Sequence, residues 1–362
     1  MRVGCVGYAV RQGLGYLMKS FVDAGVVTDP IIWPHRCREN LPQWYSGGNL
    51  VVPETGSVTK LLERRGKFID VLIAFETFFD WTVLAKCREL GIKTVLIPMY
   101  EWTPKVPYDF PDAVVCPSLL DQDYFTGLLP AGEKMGYGAG SWVSRYKDGR
   151  LKVDYLPIPV DPTQWRQRTT ALRFLHNAGN VGHRWHKGTL ELLKALPLVQ
   201  NPDFRITIRG QDKAELNKVL KEAGSASIDP RLTIELGEIP YENLWDGFDV
   251  YVAPEKFNGL SLPLQEARAA GLLVMTSSRY PHSQWLPHNP LIPVKDYVRS
   301  GVGSSYFDLD EAVIDPQDIA TRIDQWYGKD ISNYSLTGRL WAQENSWERL
   351  KPRWLKTLES LL

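Results

Sequence analysis

Asp249–Ser278 reads DVYVAPEKFNGLSLPLQEARAAGLLVMTSS, and the fold is decided by how this stretch divides. DVYVA (Asp249 to Ala253) has the length and apolar character of a buried strand. LLVMTSS (Leu272 to Ser278) has the same character, and LPLQEARAAG between them is small, apolar and helix-compatible. The division is strand, loop, helix, strand. It places Glu266 near the start of a helix, where a parallel sheet meets helix N-termini.

The same grammar extends in both directions. RVGCVGYAV, DVLIAFE (Asp70 to Glu76), TVLIPMY (Thr94 to Tyr100) and AVVCPS (Ala113 to Ser118) read as buried strands, and Thr82 to Ile92 as a helix closed by Gly91. The second half repeats it: LRFLHNAG (Leu172 to Gly179), helix 187–199, strand 204–210, helix 213–224 and strand 232–237 precede the quoted stretch. Helices follow at 316–328 and 347–362, where Pro352 predicts a kink or break. The fold class is α/β, with two Rossmann-like, doubly wound parallel sheets facing a cleft. LPIPVDPTQW (Leu156 to Trp165), whose three prolines favour extended chain, separates them. The expected domains are residues 1–160, residues 161–335, and a helical segment 336–362 packing back on the first.

The chain has 362 residues, enough for two domains of roughly 150–200 each. Forty-two basic residues balance forty-two acidic ones, so no global field collects nucleic acid or anionic lipid. Cys5, Cys37, Cys87 and Cys116 are widely spaced without a CxxC and read as reduced, structural thiols. The N-terminus lacks the pattern of a signal peptide, and no window approaches a membrane span. The expected location is cytoplasmic.

Three loops at strand ends are candidates for chemistry. In GYAVRQGLGYL (Gly7 to Leu17), Gly13 and Gly15 would let the backbone approach an anion at a helix N-terminus, or serve the turn alone. In HNAGNVGHRWHKGTL (His176 to Leu190), Arg184 and Lys187 lie where a helix begins. The helix dipole disfavours cations there unless an anion lies between, which points to a bound phosphate. His176, His183 and His186 invite a metal reading, but no Cys joins them and HExxH is absent, so no metal is expected. In the quoted stretch, the amides of Asn258, Gly259, Leu260 and Ser261 would meet an oxyanion or sugar hydroxyl. Glu266 would accept hydrogen bonds from the vicinal hydroxyls of a ribose, the alternative being a surface carboxylate.

At these residues the chain resembles the retaining, nucleotide-sugar-dependent glycosyltransferases of the two-Rossmann-domain GT-B type, closest to family 4. That family carries Glu-x7-Glu before Ala-x-Ala-x-Gly in its second domain, and Glu266 stands at the second glutamate. Lys187-Gly188 resembles its Lys-Gly motif, Ile158 to Asp161 its interdomain motif, Gly210 its Gly-x-Gly strand end, and Gly237 to Leu244 its G-x-(I/V) segment. Gly13-Leu14-Gly15 resembles its first-domain glycine turn. The likeness covers Val153 to Trp326 and, more loosely, the first domain. It implies that Glu266 holds the ribose, that Lys187 and Arg184 neutralise the departing diphosphate, and that transfer proceeds with retention and without a metal or other cofactor. The sequence also departs from the pattern. Asn258 replaces the first glutamate, Gly182 the usual arginine, and PMYEWTP (Pro98 to Pro104) a first-domain histidine, leaving Glu101 as the candidate polar contact there.

The expected function is therefore sugar transfer from a UDP- or GDP-type donor to a hydroxyl of a glycan or glycolipid. Two alternatives stay open. Aromatic loops such as IIWPHRCREN and LPQWYSGG suit a phage-type DNA-base glycosyltransferase acting on a hydroxylated base, since aromatic faces stack on bases and sugars alike. The departures suit an inactive nucleotide-sugar-binding protein.

Overall fold

The computed structural model describes residues 1–33, 41–45, 57–128, 140–179, 186–286, 288–300 and 310–362. Cys37, Gly182, His183 and Arg184 lie outside them.

The first sheet is built from β1 (Val3–Gly7), β2 (Asp29–Ile32), β3 (Val71–Glu76), β4 (Lys93–Pro98), β5 (Ala113–Cys116) and β6 (Lys152–Tyr155). Its order is β2-β1-β3-β4-β5-β6, with every pairing parallel. Helices α1 (Gly13–Asp23), α2 (Val58–Arg65), α3 (Val83–Leu90), α4 (Leu119–Thr126) and α5 (Gly140–Lys147) connect the strands. The central strands read as continuous apolar runs because helices cover both faces, as β3 shows with five fully buried residues of its six. β2 and β6, absent from the sequence reading, are the four-residue edges. Pro30 is tolerated in β2 because an edge strand has no second partner to donate to.

The second sheet contains β7 (Arg173–Gly179), β8 (Arg205–Gly210), β9 (Leu232–Leu236), β10 (Val250–Ala253) and β11 (Leu273–Thr276) in the order β11-β10-β7-β8-β9, again parallel. Helices α6 (Thr189–Ala195), α7 (Lys213–Ala223), α8 (Leu262–Ala269) and the short α9 (His282–Trp285) accompany it. A hairpin of β12 (Asp296–Arg299) and β13 (Asp310–Val313) precedes α10 (Pro316–Trp326). The two sheets form two Rossmann-like domains, the GT-B arrangement. Each strand order reverses beside its first strand, at β1 and at β7, which opens a crevice at those strands' carboxyl ends.

Two helices end the chain. α11 (Ser332–Glu344) lies against α8, so closely that a Cβ on Gly338 would stand 2.3 Å from the Arg268 carbonyl oxygen. α12 (Trp347–Glu359) packs on the first domain, where the Trp354 ring meets Phe21 edge-on at 4.9 Å. Pro352 lies inside α12 without ending it. The helix tolerates the lost hydrogen bond because Leu350, Trp354 and Leu358 are all buried in the first domain's core.

Contacts between the domains involve both crevices. Phe257 and Leu260, on the loop before α8, are buried in first-domain clusters. Arg11 pairs with Glu238 at 3.2 Å, and the Tyr16 and Tyr241 rings stack at 4.4 Å. Arg279 donates to the Tyr100 hydroxyl at 3.1 Å, and Tyr280 donates to Asp123.

Candidate functional site

At the second domain's crevice, the β7–α6 loop and the β10–α8 loop come together because Gly188 allows it. Gly188 has φ 68°, and a Cβ there would stand 2.0 Å from the Pro254 carbonyl oxygen. This approach places Lys187 against Glu255, Nζ to Oε1 2.7 Å, with the lysine side chain 11% exposed and the glutamate fully buried. The second Glu255 oxygen makes no hydrogen bond and faces His282 Nε2 at 3.6 Å. Burial, with Arg279 and Lys187 nearby, holds His282 well below the usual histidine range, so the imidazole is neutral. Glu255 and His282 were missed by the sequence reading. No spacing announces them, because β10 and α9 meet only through the fold.

Glu266 sits on the second turn of α8, partly exposed, and accepts a 2.7 Å hydrogen bond from the Tyr241 hydroxyl. Burial raises its carboxyl to about 7, opposed by the Tyr241 bond and by Lys187. Glu266 and Tyr241 line an interdomain cavity of about 940 Å³, together with Tyr16, Trp44, Glu238 and Asp161. A carboxylate at a cavity wall whose one hydrogen-bond partner among the described residues is a hydroxyl can exchange that hydroxyl for a ligand's.

The loop amides behave differently from expectation. Asn258 Oδ1 accepts from Leu260 N at 3.2 Å and from Ser261 N at 2.7 Å, so this asparagine closes its own turn. Gly259 N donates to both oxygens of Glu101, at 3.0 and 3.1 Å, across the domain boundary. The three amides are therefore satisfied by the protein itself, a correction to the reading that they face a ligand. Glu101 is buried, its carboxyl raised by that burial and lowered by the amides it accepts from. A Cβ on Gly259 would stand 2.8 Å from Glu101 Oε2 and 2.9 Å from the Tyr100 ring, so glycine is what lets the first domain reach this loop. Leu260 is committed to the first-domain core. Ser261 takes φ 45° at the head of α8, with a buried Oγ that has no partner among the described residues.

Packing accounts for Gly15, where a Cβ would stand 1.8 Å from the Val10 carbonyl oxygen, which identifies that glycine with the turn. It does not account for Gly13, where a Cβ would meet Leu262 of the second domain at an ordinary 3.9 Å. Gly210 is buried beneath Leu216, where a Cβ would meet Cδ2 at 3.0 Å. His176 is a core residue, its ring nitrogens 2.8 Å from the Val252 carbonyl and from Thr189 Oγ1. Among the described residues, no three His, Cys, Asp or Glu side chains gather as a metal-binding group. Cys5, Cys87 and Cys116 are buried free thiols. No described helix is long and apolar enough to cross a membrane.

Comparison with known proteins bears on the fold. Residues 174–296 match the family model described as glycosyl transferases group 1. No curated protein matches the sequence. Among solved structures, a glycosyltransferase from Rickettsia africae superposes with a TM-score of 0.69 at 13% identity, covering 99% of this chain and 98% of that one. Anabaena HepE in complex with UDP and glucose gives 0.67 at 11% identity, covering 99% and 100%. A lipopolysaccharide outer core galactosyltransferase in its apo form gives 0.57 at 11%, covering 100% and 99%. The whole chain has the GT-B fold of glycosyltransferases, and its second domain carries the sequence pattern of glycosyl transferases group 1.

Proposed function

We propose that the protein is a retaining, metal-independent glycosyltransferase that moves a sugar from a nucleoside-diphosphate donor, of UDP type, to an acceptor hydroxyl of a glycan or glycolipid. The observation that carries the reading is the convergence of Lys187, from the β7–α6 loop, and Glu266, from α8, on the crevice beside β7 and β10, with Glu266 on the wall of the interdomain cavity. In this reading Glu266 releases the Tyr241 hydroxyl and accepts from the ribose. Lys187, held by Glu255, meets the diphosphate as its leaving oxygen gains charge. A cation fixed before reaction acts on the transition state more than on the bound donor. The UDP type is favoured because HepE was solved with UDP and glucose and a pneumococcal O-GlcNAc transferase of the same fold with UDP and GlcNAc.

Calorimetry of UDP, GDP and ADP with and without EDTA tests this. Saturable binding of UDP that survives EDTA and is lost in Glu266→Ala is expected. Lys187→Ala alone strands a buried carboxylate and should cost about 3–5 kcal/mol of stability. The informative variant is therefore Lys187→Met with Glu255→Gln, which should fold and release no UDP from UDP-glucose. Absence of binding by any of the three nucleotides in the wild type would withdraw the reading.

A further inference from the structure

Trp33, Tyr8 and Glu76 stand at the same level at the carboxyl ends of β2, β1 and β3. The pairing Gly7↔Ile32 makes Tyr8 and Trp33 the next residues on their strands, and Trp33 N donates to the Gly7 carbonyl at 2.8 Å. The pairing Val6↔Ala74 places Tyr8 beside Glu76 by the same count, and Glu76 pairs with Pro98 on its other side. Phe79 joins the row from the β3–α3 loop. Its ring stacks on Trp33 at 5.6 Å with 22° between planes and tilts against Tyr8 at 5.0 Å. All three rings are partly exposed. They form a platform at the first domain's own switch point, at the carboxyl ends of its strands.

Glu76 is unusual in three respects. It has φ 63°, a left-handed conformation that a glutamate adopts only under constraint, and among the described residues Ser261 at the opposite crevice is the one other non-glycine residue with positive φ. Its backbone is pinned there, with the Thr103 hydroxyl donating to its carbonyl at 2.6 Å. Its carboxyl makes no hydrogen bond or ion pair with any described residue, although it is only partly exposed. Packing among the described residues gives no reason to hold this carboxyl in a strained turn in line with Tyr8 and Trp33.

We infer that Trp33, Tyr8, Phe79 and Glu76 form an acceptor subsite for a pyranose ring, the apolar face of the sugar lying on the aromatic platform and its hydroxyls bonding the Glu76 carboxyl. Aromatic faces provide area without fixing polar partners, and a single carboxyl at the edge sets the ring's orientation. Burial and the neighbouring Glu101 raise Glu76 to about 8. At neutral pH it is mostly a neutral acid, able to donate one hydrogen bond and accept others, which matches a hydroxyl pair. The inference deepens the transferase reading by naming the residues that would hold its acceptor sugar, and it rests on that reading only for the word acceptor.

The test uses the full chain with methyl glucoside, methyl galactoside and maltose as probes, read by saturation-transfer NMR and tryptophan fluorescence, and UDP by calorimetry in parallel. At least one glycoside should bind saturably to the wild type. Glu76→Ala should weaken it about tenfold, Glu76→Gln, which keeps a donor and an acceptor, by much less, and Phe79→Ala by at least as much as Glu76→Ala, while UDP affinity changes less than twofold. Glu76→Gly should lose the glycoside yet keep a thermal midpoint at or above the wild type's, because glycine relieves the positive φ. Glycoside binding without UDP binding would uphold the subsite and remove the transferase reading. UDP binding with no glycoside bound, or glycoside binding untouched by Glu76→Ala, would overturn the inference, as would displacement of the glycoside's Trp33-dependent signal by a hydroxymethylated DNA duplex.

Discussion

Glu266 illustrates how much a side chain's chemistry depends on its neighbours. Its position on an apolar helix is visible in the sequence, but its charge state is set by burial, by the Tyr241 hydroxyl at 2.7 Å and by Lys187. The folded value, about 7, lies above that of an unfolded glutamate. Its contribution to stability is accordingly full below the unfolded value and lost as pH rises through about 7. Ribose hydroxyls donate to the ionised form, so UDP affinity should increase several-fold between pH 6 and pH 8. Tyr241→Phe removes a hydrogen bond that favours the carboxylate and should move the midpoint of that increase upward. Calorimetry across the pH range in both proteins checks the sign; an affinity that falls with pH in the wild type would exclude a carboxylate clamp. Gly259 and Asn258 teach the complementary lesson, since their polar groups were legible as loop chemistry and turned out to be consumed by Glu101 and by a local turn.

At the scale of elements, the site exists because two loops approach more closely than any side chain permits. Gly188 separates Lys187 from α6, and its missing Cβ is what lets the β7–α6 loop touch Pro254. Gly188→Ala adds a positive-φ penalty to a backbone collision and should destabilise the second domain by about 2–4 kcal/mol. Denaturant unfolding measures the cost. Loss of UDP binding in the same variant, under conditions where it remains folded, would show that the glycine positions the lysine. The helices themselves were readable in outline, because the apolar period, Gly91 at the end of α3 and Asp315 at the start of α10 are local signals. β2 and β6 were not, because a four-residue edge strand containing a proline or alternating polarity carries no signal distinguishable from a loop.

For the whole molecule, the chain's return to the first domain is the connection that the termini add. α12 lies on α1 and the first sheet through Trp354, which is fully buried and donates to the Pro157 carbonyl at 3.3 Å. Trp354→Ala should cost about 3–5 kcal/mol and loosen the last helix, not the second domain. Hydrogen exchange should therefore rise in α12 and α1 while β7 to β11 stay protected. A uniform rise across both domains would instead mean that the molecule unfolds as one unit.

The sequence by itself determined the central strands of the two parallel sheets, the helices α3, α6, α7, α8, α10 and α12, and the loops in which chemistry is placed. These follow from local hydrophobic period and turn residues, which act within a few positions along the chain. The tertiary structure alone decided the pairings. Lys187 with Glu255, Gly259 with Glu101, Tyr241 with Glu266, and Glu76 in line with Tyr8 and Trp33 are set by strand order and by the meeting of two domains. A carboxylate looks alike in a sequence whether its partner is water, a lysine or a sugar, because the partner lies tens to hundreds of residues away and only folding brings it within hydrogen-bonding distance.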